Sequence, residues 1–99
     1  MEKIVVHIDS DLEDIAPGYI ENRHKDVAAL KEALTANDLE VPKVLGHRMK
    51  GSGAGYGFDE VTEIGRRMEE AAKAGDGQSI EALTARLEDY LARVEIVYD

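Results

Sequence analysis

Gly46-His47-Arg48-Met49-Lys50-Gly51-Ser52-Gly53-Ala54-Gly55-Tyr56-Gly57-Phe58 sets one histidine in a short helical run, with lysine three residues on and glycine four on. Residues three and four apart share a helix face, so Lys50 sits beside the His47 ring and Gly51 leaves the space next to it empty. At about 100° per residue, with His47 at zero, the large apolar residues Val41, Leu45 and Met49 fall near 120°, 160° and 200°. The buried stripe is therefore expected around Leu45, with Met49 in the core and His47 pointing almost directly away. Lys43, Lys50, Gly51 and Ala54 are the outer-face neighbours of the ring, and Val44 is an apolar residue beside them. A surface histidine alone is ordinary. A lysine at i+3 together with a clearing of small residues fits a ring onto which another molecule closes.

The stretch closely resembles the signature of histidine-containing phosphotransfer (HPt) domains, roughly His-x-x-Lys-Gly-Ser/Ala followed by small residues up to a glycine. His47, Lys50, Gly51, Ser52 and Gly57 match it position by position. The helices expected on either side have that family's order and lengths, so the resemblance covers most of the chain after residue 9. It implies that His47 is a phosphoacceptor, whose Nε2 attacks an aspartyl phosphate on a receiver domain and later yields the phosphoryl group to a second receiver. Lys50 then offsets the phosphoryl charge and Lys43 assists. Gly51 and Ala54 let the receiver close over the ring, and Val44 and Arg48 belong to the docking face. The resemblance places Mg²⁺ and most catalytic groups on the receiver. This chain then needs no cofactor and is a carrier, not an autonomous enzyme. Its implied partners are receiver domains of response regulators or hybrid histidine kinases.

Composition narrows the classes. A chain of 99 residues holds one small domain. It has no cysteine, which excludes disulfides and thiolate metal sites. His7, His24 and His47 lack metal-ligand spacing. No apolar run approaches membrane-spanning length, and the N-terminus lacks a signal-peptide core, so a cytoplasmic monomer is the expectation. A formal net charge of −9 argues against nucleic-acid binding. Yet residues 41–58 hold Lys43, Arg48 and Lys50 and no acid, a local patch suited to a negatively charged partner. The carboxylates are expected mostly on solvated faces, and none is assigned to chemistry. The glycines match neither a P-loop nor a dinucleotide fingerprint, and no kinase ATP-binding motif is present.

Working outward, Asp9 and Ser10 favour a short helical turn. Pro17 opens a long helix to about residue 36, with Ile20, Val27, Leu30 and Leu34 inward. Arg23 falls in that stripe, where its stem is expected to pack with its head in water. His24, at the stripe's edge, reads as structural. Asn37-Asp38 ends this helix and caps the next, which spans about 39–53. Gly55-Tyr56-Gly57 reads as a loop, since glycine is a poor helix former. Asp59 is expected to cap a third helix to about 74, with Val61, Ile64, Met68 and Ala72 inward and Gly65 permitting close contact. After Gly75-Asp76-Gly77, a last helix over about 78–93 turns Ile80, Leu83, Leu87 and Leu91 inward, with Val94 following. Residues 1–8 and 94–99 read as extended, β-branched arms that can pair. Short loops make neighbouring helices antiparallel. The expected fold is all-α: an up-down four-helix bundle with a short N-terminal helical turn and paired terminal arms. Two rival functions keep the same bundle: an interaction module without phosphate, and a binder of an anionic small molecule over Lys43 and Lys50.

Overall fold

Proline at position 17 cannot donate a backbone hydrogen bond, and it stands in the first turn of the longest helix, where none is needed. The computed structural model describes residues 2–99. In chain order it has β1 (Ile4–Ile8), a 3₁₀ turn (Ser10–Leu12), α1 (Ala16–Thr35), α2 (Glu40–Ser52) and a second 3₁₀ turn (Ala54–Tyr56). Then come α3 (Asp59–Lys73), α4 (Gly77–Arg93) and β2 (Val94–Tyr98). The four helices pack on one another as an all-α bundle.

The loops end helices by local chemistry. Asn37 takes a left-handed φ of 56°, which lets Asp38 N–H reach back to the Ala33 carbonyl at 2.8 Å. Gly75, at φ 69°, does the same for α3, with Asp76 N–H on the Ala71 carbonyl at 2.9 Å. Asp76 then caps α4 by accepting from Ser79 N–H and from the Ser79 hydroxyl. Asp38 accepts from Glu40 N–H at the start of α2.

Asp59 does not cap α3. The capping position is Phe58, which makes no side-chain hydrogen bond there. Its ring is fully buried and stacks on Tyr19, with centroids 5.7 Å apart. Burial of an aromatic side chain places the start of α3, and Asp59 and Glu60 lie in the first turn, where the helix dipole favours them.

Leu30, Met49, Phe58, Ile64, Met68, Ile80 and Leu87 form the centre of the core and are fully buried. The buried side of α2 differs from expectation. It carries Pro42, Gly46 and Met49, while Val41 and Leu45 are half-buried. On the wheel this stripe is rotated by about 70° from the one centred on Leu45. The cause is a close crossing of α2 and α3 through glycines. A Cβ on Gly65 would lie 2.5 Å from the Lys50 amide nitrogen and 2.7 Å from the Gly46 carbonyl oxygen. One on Gly46 would lie 2.7 Å from the Glu69 amide nitrogen. Side-chain bulk sets the expected stripe, but it is missing bulk that lets these backbones meet.

Arg23 also departs from expectation. Its head is not simply solvated: the side chain is only 15% exposed, the guanidinium lies 4.2 Å from the Tyr19 ring centroid, and Nε is 2.8 Å from Asp26 Oδ2. Burial pushes the Asp26 carboxyl up, and Arg23 only partly offsets it. His24 is exposed.

The arms pair in parallel, from Ile4 opposite Val94 to Ile8 opposite Tyr98. A parallel pair needs a long crossover, and here the four helices supply it. Ile4, Val6 and Ile8 alternate inward, whereas Val5 on β1 and Val97 on β2 are exposed. The Ile8 side chain abuts Gly57, whose φ of 91° suits glycine alone. The N-terminal arm thus braces the loop that follows α2. Among the described residues, no helix is long and apolar enough to cross a membrane.

Candidate functional site

His47 projects from the middle of α2 with 69% of its side chain exposed. Its position is about 130° around the wheel from the centre of the buried Pro42, Gly46 and Met49 stripe, so the backbone alone turns it to solvent. The ring is nonetheless held. Nδ1 lies 3.0 Å from Glu69 Oε2, and Glu69 stands on the buried side of α3 with only 10% of its side chain exposed. Lys50 donates to the other oxygen, Oε1, at 2.6 Å. Lys73 Nζ is 3.7 Å from Oε2.

The Lys50 hydrogen bond is the main reason that the Glu69 carboxyl lies below the usual range; burial opposes it, and His47 and Lys73 reinforce it. Glu69 is therefore ionised at neutral pH and can only accept. Nδ1 must carry the hydrogen of the neutral ring and donate it to Glu69. The lone pair then sits on Nε2, on the outward edge.

The space around that edge is open. A Cβ built on Gly51 meets nothing within 4 Å, and the same holds at Gly55. Ala54 is exposed between them. The end of α2 is pinned from α1. The Ser52 hydroxyl donates to the Arg48 carbonyl at 2.9 Å, so it is Tyr19 that donates to Ser52 Oγ, at 2.7 Å. Tyr56 stacks on the Tyr19 ring at 4.3 Å.

The other residues singled out in the sequence lie around this centre rather than in it. Lys43 points back one turn, with Nζ 3.9 Å from Glu40 Oε2. Val44 is 37% exposed and lines a shallow apolar hollow with Val41, Leu45, Glu40 and Arg48. Arg48 is exposed on the α1 side, where its charge acts on Asp26.

Glu69 and Lys73 were absent from the sequence reading. A patch free of acid along residues 41–58 is not free of acid in space, because α3 supplies one. The signal was present: Glu69 follows Gly65 by four residues and precedes Ala72 by three, so it belongs to the inward stripe of α3. A carboxylate on that face requires a cationic or hydrogen-bonding partner from a neighbouring helix.

The family model of the Hpt domain matches residues 18–96. The chain belongs to the Hpt domain family. Comparison with curated proteins and with solved structures gave no match. Hpt domains are the histidine phosphotransfer modules of phosphorelays; they are phosphocarriers rather than kinases and interact with receiver domains. The matched residues take in α2, α3 and α4 and nearly all of α1, and leave out β1.

In this Hpt domain Gly51 and Gly65 predict opposite behaviour. Gly51→Leu fills the approach to His47 while improving helix propensity by about 1 kcal/mol. The protein is expected to stay folded and phosphoryl transfer from a receiver to fall by about 10²-fold, the cost of an ångström-scale misplacement. Circular-dichroism melts and single-turnover transfer rates check this. Unchanged rates would make the clearing incidental.

Proposed function

We propose that this Hpt domain is a cytoplasmic, monomeric phosphorelay carrier with His47 as its phosphoacceptor. The reading rests on one observation: an ionised, buried Glu69 holds Nδ1–H of an exposed ring, leaving the Nε2 lone pair facing an open surface. Neutral imidazole is nucleophilic near pH 7.

The Nε2 lone pair attacks the phosphorus of a receiver aspartyl phosphate. The new bond is P–Nε2; the bond that breaks is P–O, and the aspartate leaves as a carboxylate with the electron pair. Nδ1 keeps its hydrogen, so the phosphorylated ring is cationic and Glu69 is its counter-ion. That cation leaves readily as neutral imidazole, which makes the step reversible toward a second receiver. The divalent metal belongs to the receiver in this scheme. The carboxylate that this chain brings to His47 is already engaged by Lys50 and Lys73. Gly51, Ala54 and Val44 form the docking face, and Arg48 and Lys43 are its charged margin.

Incubation with phosphorylated receivers should place acid-labile label on His47. No label from any receiver, with the bundle intact, would leave an interaction module in its place. Lys50→Ala should lower the single-turnover transfer rate by about tenfold, or roughly 1.4 kcal/mol of barrier. Receiver affinity should change less, because an exposed charge contributes little to docking. Lys50→Glu should lower the rate further. Transfer at the parent rate in Lys50→Glu would remove this lysine from the site.

A further inference from the structure

Lys73 closes the last turn of α3, four residues after Glu69. It carries no motif. In space its Nζ lies 3.7 Å from Glu69 Oε2, the same oxygen that His47 Nδ1 contacts at 3.0 Å. One atom thus separates the ammonium from the imidazole.

The two lysines on Glu69 are not equivalent. Lys50 sits at 2.6 Å on Oε1, within the range of a charge-assisted hydrogen bond, and is 41% exposed. Lys73 is beyond that range and 60% exposed. It carries a flexible four-carbon stem. The charges count the same way. With a neutral ring, one carboxylate faces two ammoniums, and the tighter lysine already balances it. A phosphoryl group brings about one and a half to two negative charges, and of the two lysines the looser one is the freer to turn toward them.

We propose that Lys73 is the movable phosphoryl-binding cation of this site. When His47 is phosphorylated on Nε2, the Lys73 ammonium leaves Glu69 and bonds the phosphoryl oxygens. Lys50 stays on Glu69 and contributes its charge from a fixed position. Glu69 keeps Nδ1–H, so the ring does not turn. The inference rests on the phosphoacceptor reading of His47.

A small donor tests it without a receiver. Phosphoramidate transfers its phosphoryl group to Nε2 as the P–N bond to the amine breaks and ammonia leaves. The ³¹P resonance of the phosphorylated protein is then titrated with pH in the parent, Lys73→Ala, Lys73→Arg and Lys73→Glu. A nearby cation favours the dianionic phosphoryl group. Lys73→Ala should raise the phosphoryl pKa by about half a unit, Lys73→Glu should raise it further, and Lys73→Arg should restore the parent curve. The difference should shrink in high salt. Coincident curves in the parent, Lys73→Ala and Lys73→Glu would overturn the inference while leaving His47 as the acceptor. Absence of a phosphohistidine signal in the parent would overturn both.

Discussion

His47→Gln is expected to take up no phosphoryl group from any receiver, with a melting temperature within about 3 °C of the parent. Chemistry and stability separate here because the ring is mostly exposed and, among the described residues, its one tie to the fold is the hydrogen bond to Glu69. Glutamine at this position has no nucleophilic nitrogen, since its amide lone pair is delocalised. Glu69 keeps its hydrogen bond from Lys50, so removing the ring does not leave a buried charge unpaired. Exposed substitutions of this kind change stability by about 0.5 kcal/mol, which corresponds to a few degrees in a domain of this size. Acid-labile label and a thermal melt on the same preparation decide the matter. Label persisting on His7 or His24 would overturn the assignment. His7 faces Asp99 at 3.2 Å on the terminal arm, with no lysine three residues on.

Gly65→Ala is expected to destabilise the fold strongly although it adds a single methyl group. Alanine in a helix is ordinarily better than glycine by about 1 kcal/mol. Here the new Cβ would lie 2.5 Å from the Lys50 amide nitrogen and 2.7 Å from the Gly46 carbonyl oxygen. Both are backbone atoms of α2, and no rotamer change relieves them. The two helices must separate, and the packing of Met49 and Met68 at the seam is lost with them. A cost of about 2–4 kcal/mol follows, or roughly 10–20 °C in melting temperature. Gly51→Ala, which meets nothing within 4 Å, is the matched control and should hold or raise the melting temperature. A Gly65→Ala melt within about 3 °C of the parent would show that the crossing is loose.

The same seam explains what was legible in the sequence and what was not. The outward direction of His47 followed from Leu45 and Met49, because large side chains report the core. The exact stripe did not, because Gly46 has no side chain to weigh and its burial is visible only with α3 in place. Ends of helices carrying a left-handed residue, at Asn37 and Gly75, were readable from local chemistry. The extent of α3 was readable too, but not its capping position, because Phe58 is fixed by Tyr19 from another helix. Arg23 was placed in water since a wheel cannot show that an aromatic ring and Asp26 await it one turn away on either side. Lys50 was recognisable from its spacing to His47. Its actual partner, Glu69, lies on a different helix, and no pattern within residues 41–58 contains it. Terminal arms of β-branched residues were recognisable as strands, but their parallel register depends on the whole bundle between them.

That register has a kinetic meaning. Ile4 has no partner until Val94 exists, so during synthesis β1 must wait until all four helices have emerged. The helices make local contacts and are expected to assemble first; the ladder joins the two ends of the bundle, Ile4 with Val94, and is costly in chain entropy to close. Ile8 abuts Gly57, so the loop behind the His47 helix receives its last brace only at that late moment. A newly made chain would carry a bundle with a presentable histidine before the support beneath its C-terminal end is in place. Pulse-labelled hydrogen exchange should find the amides of residues 4–8 and 94–98 protected last.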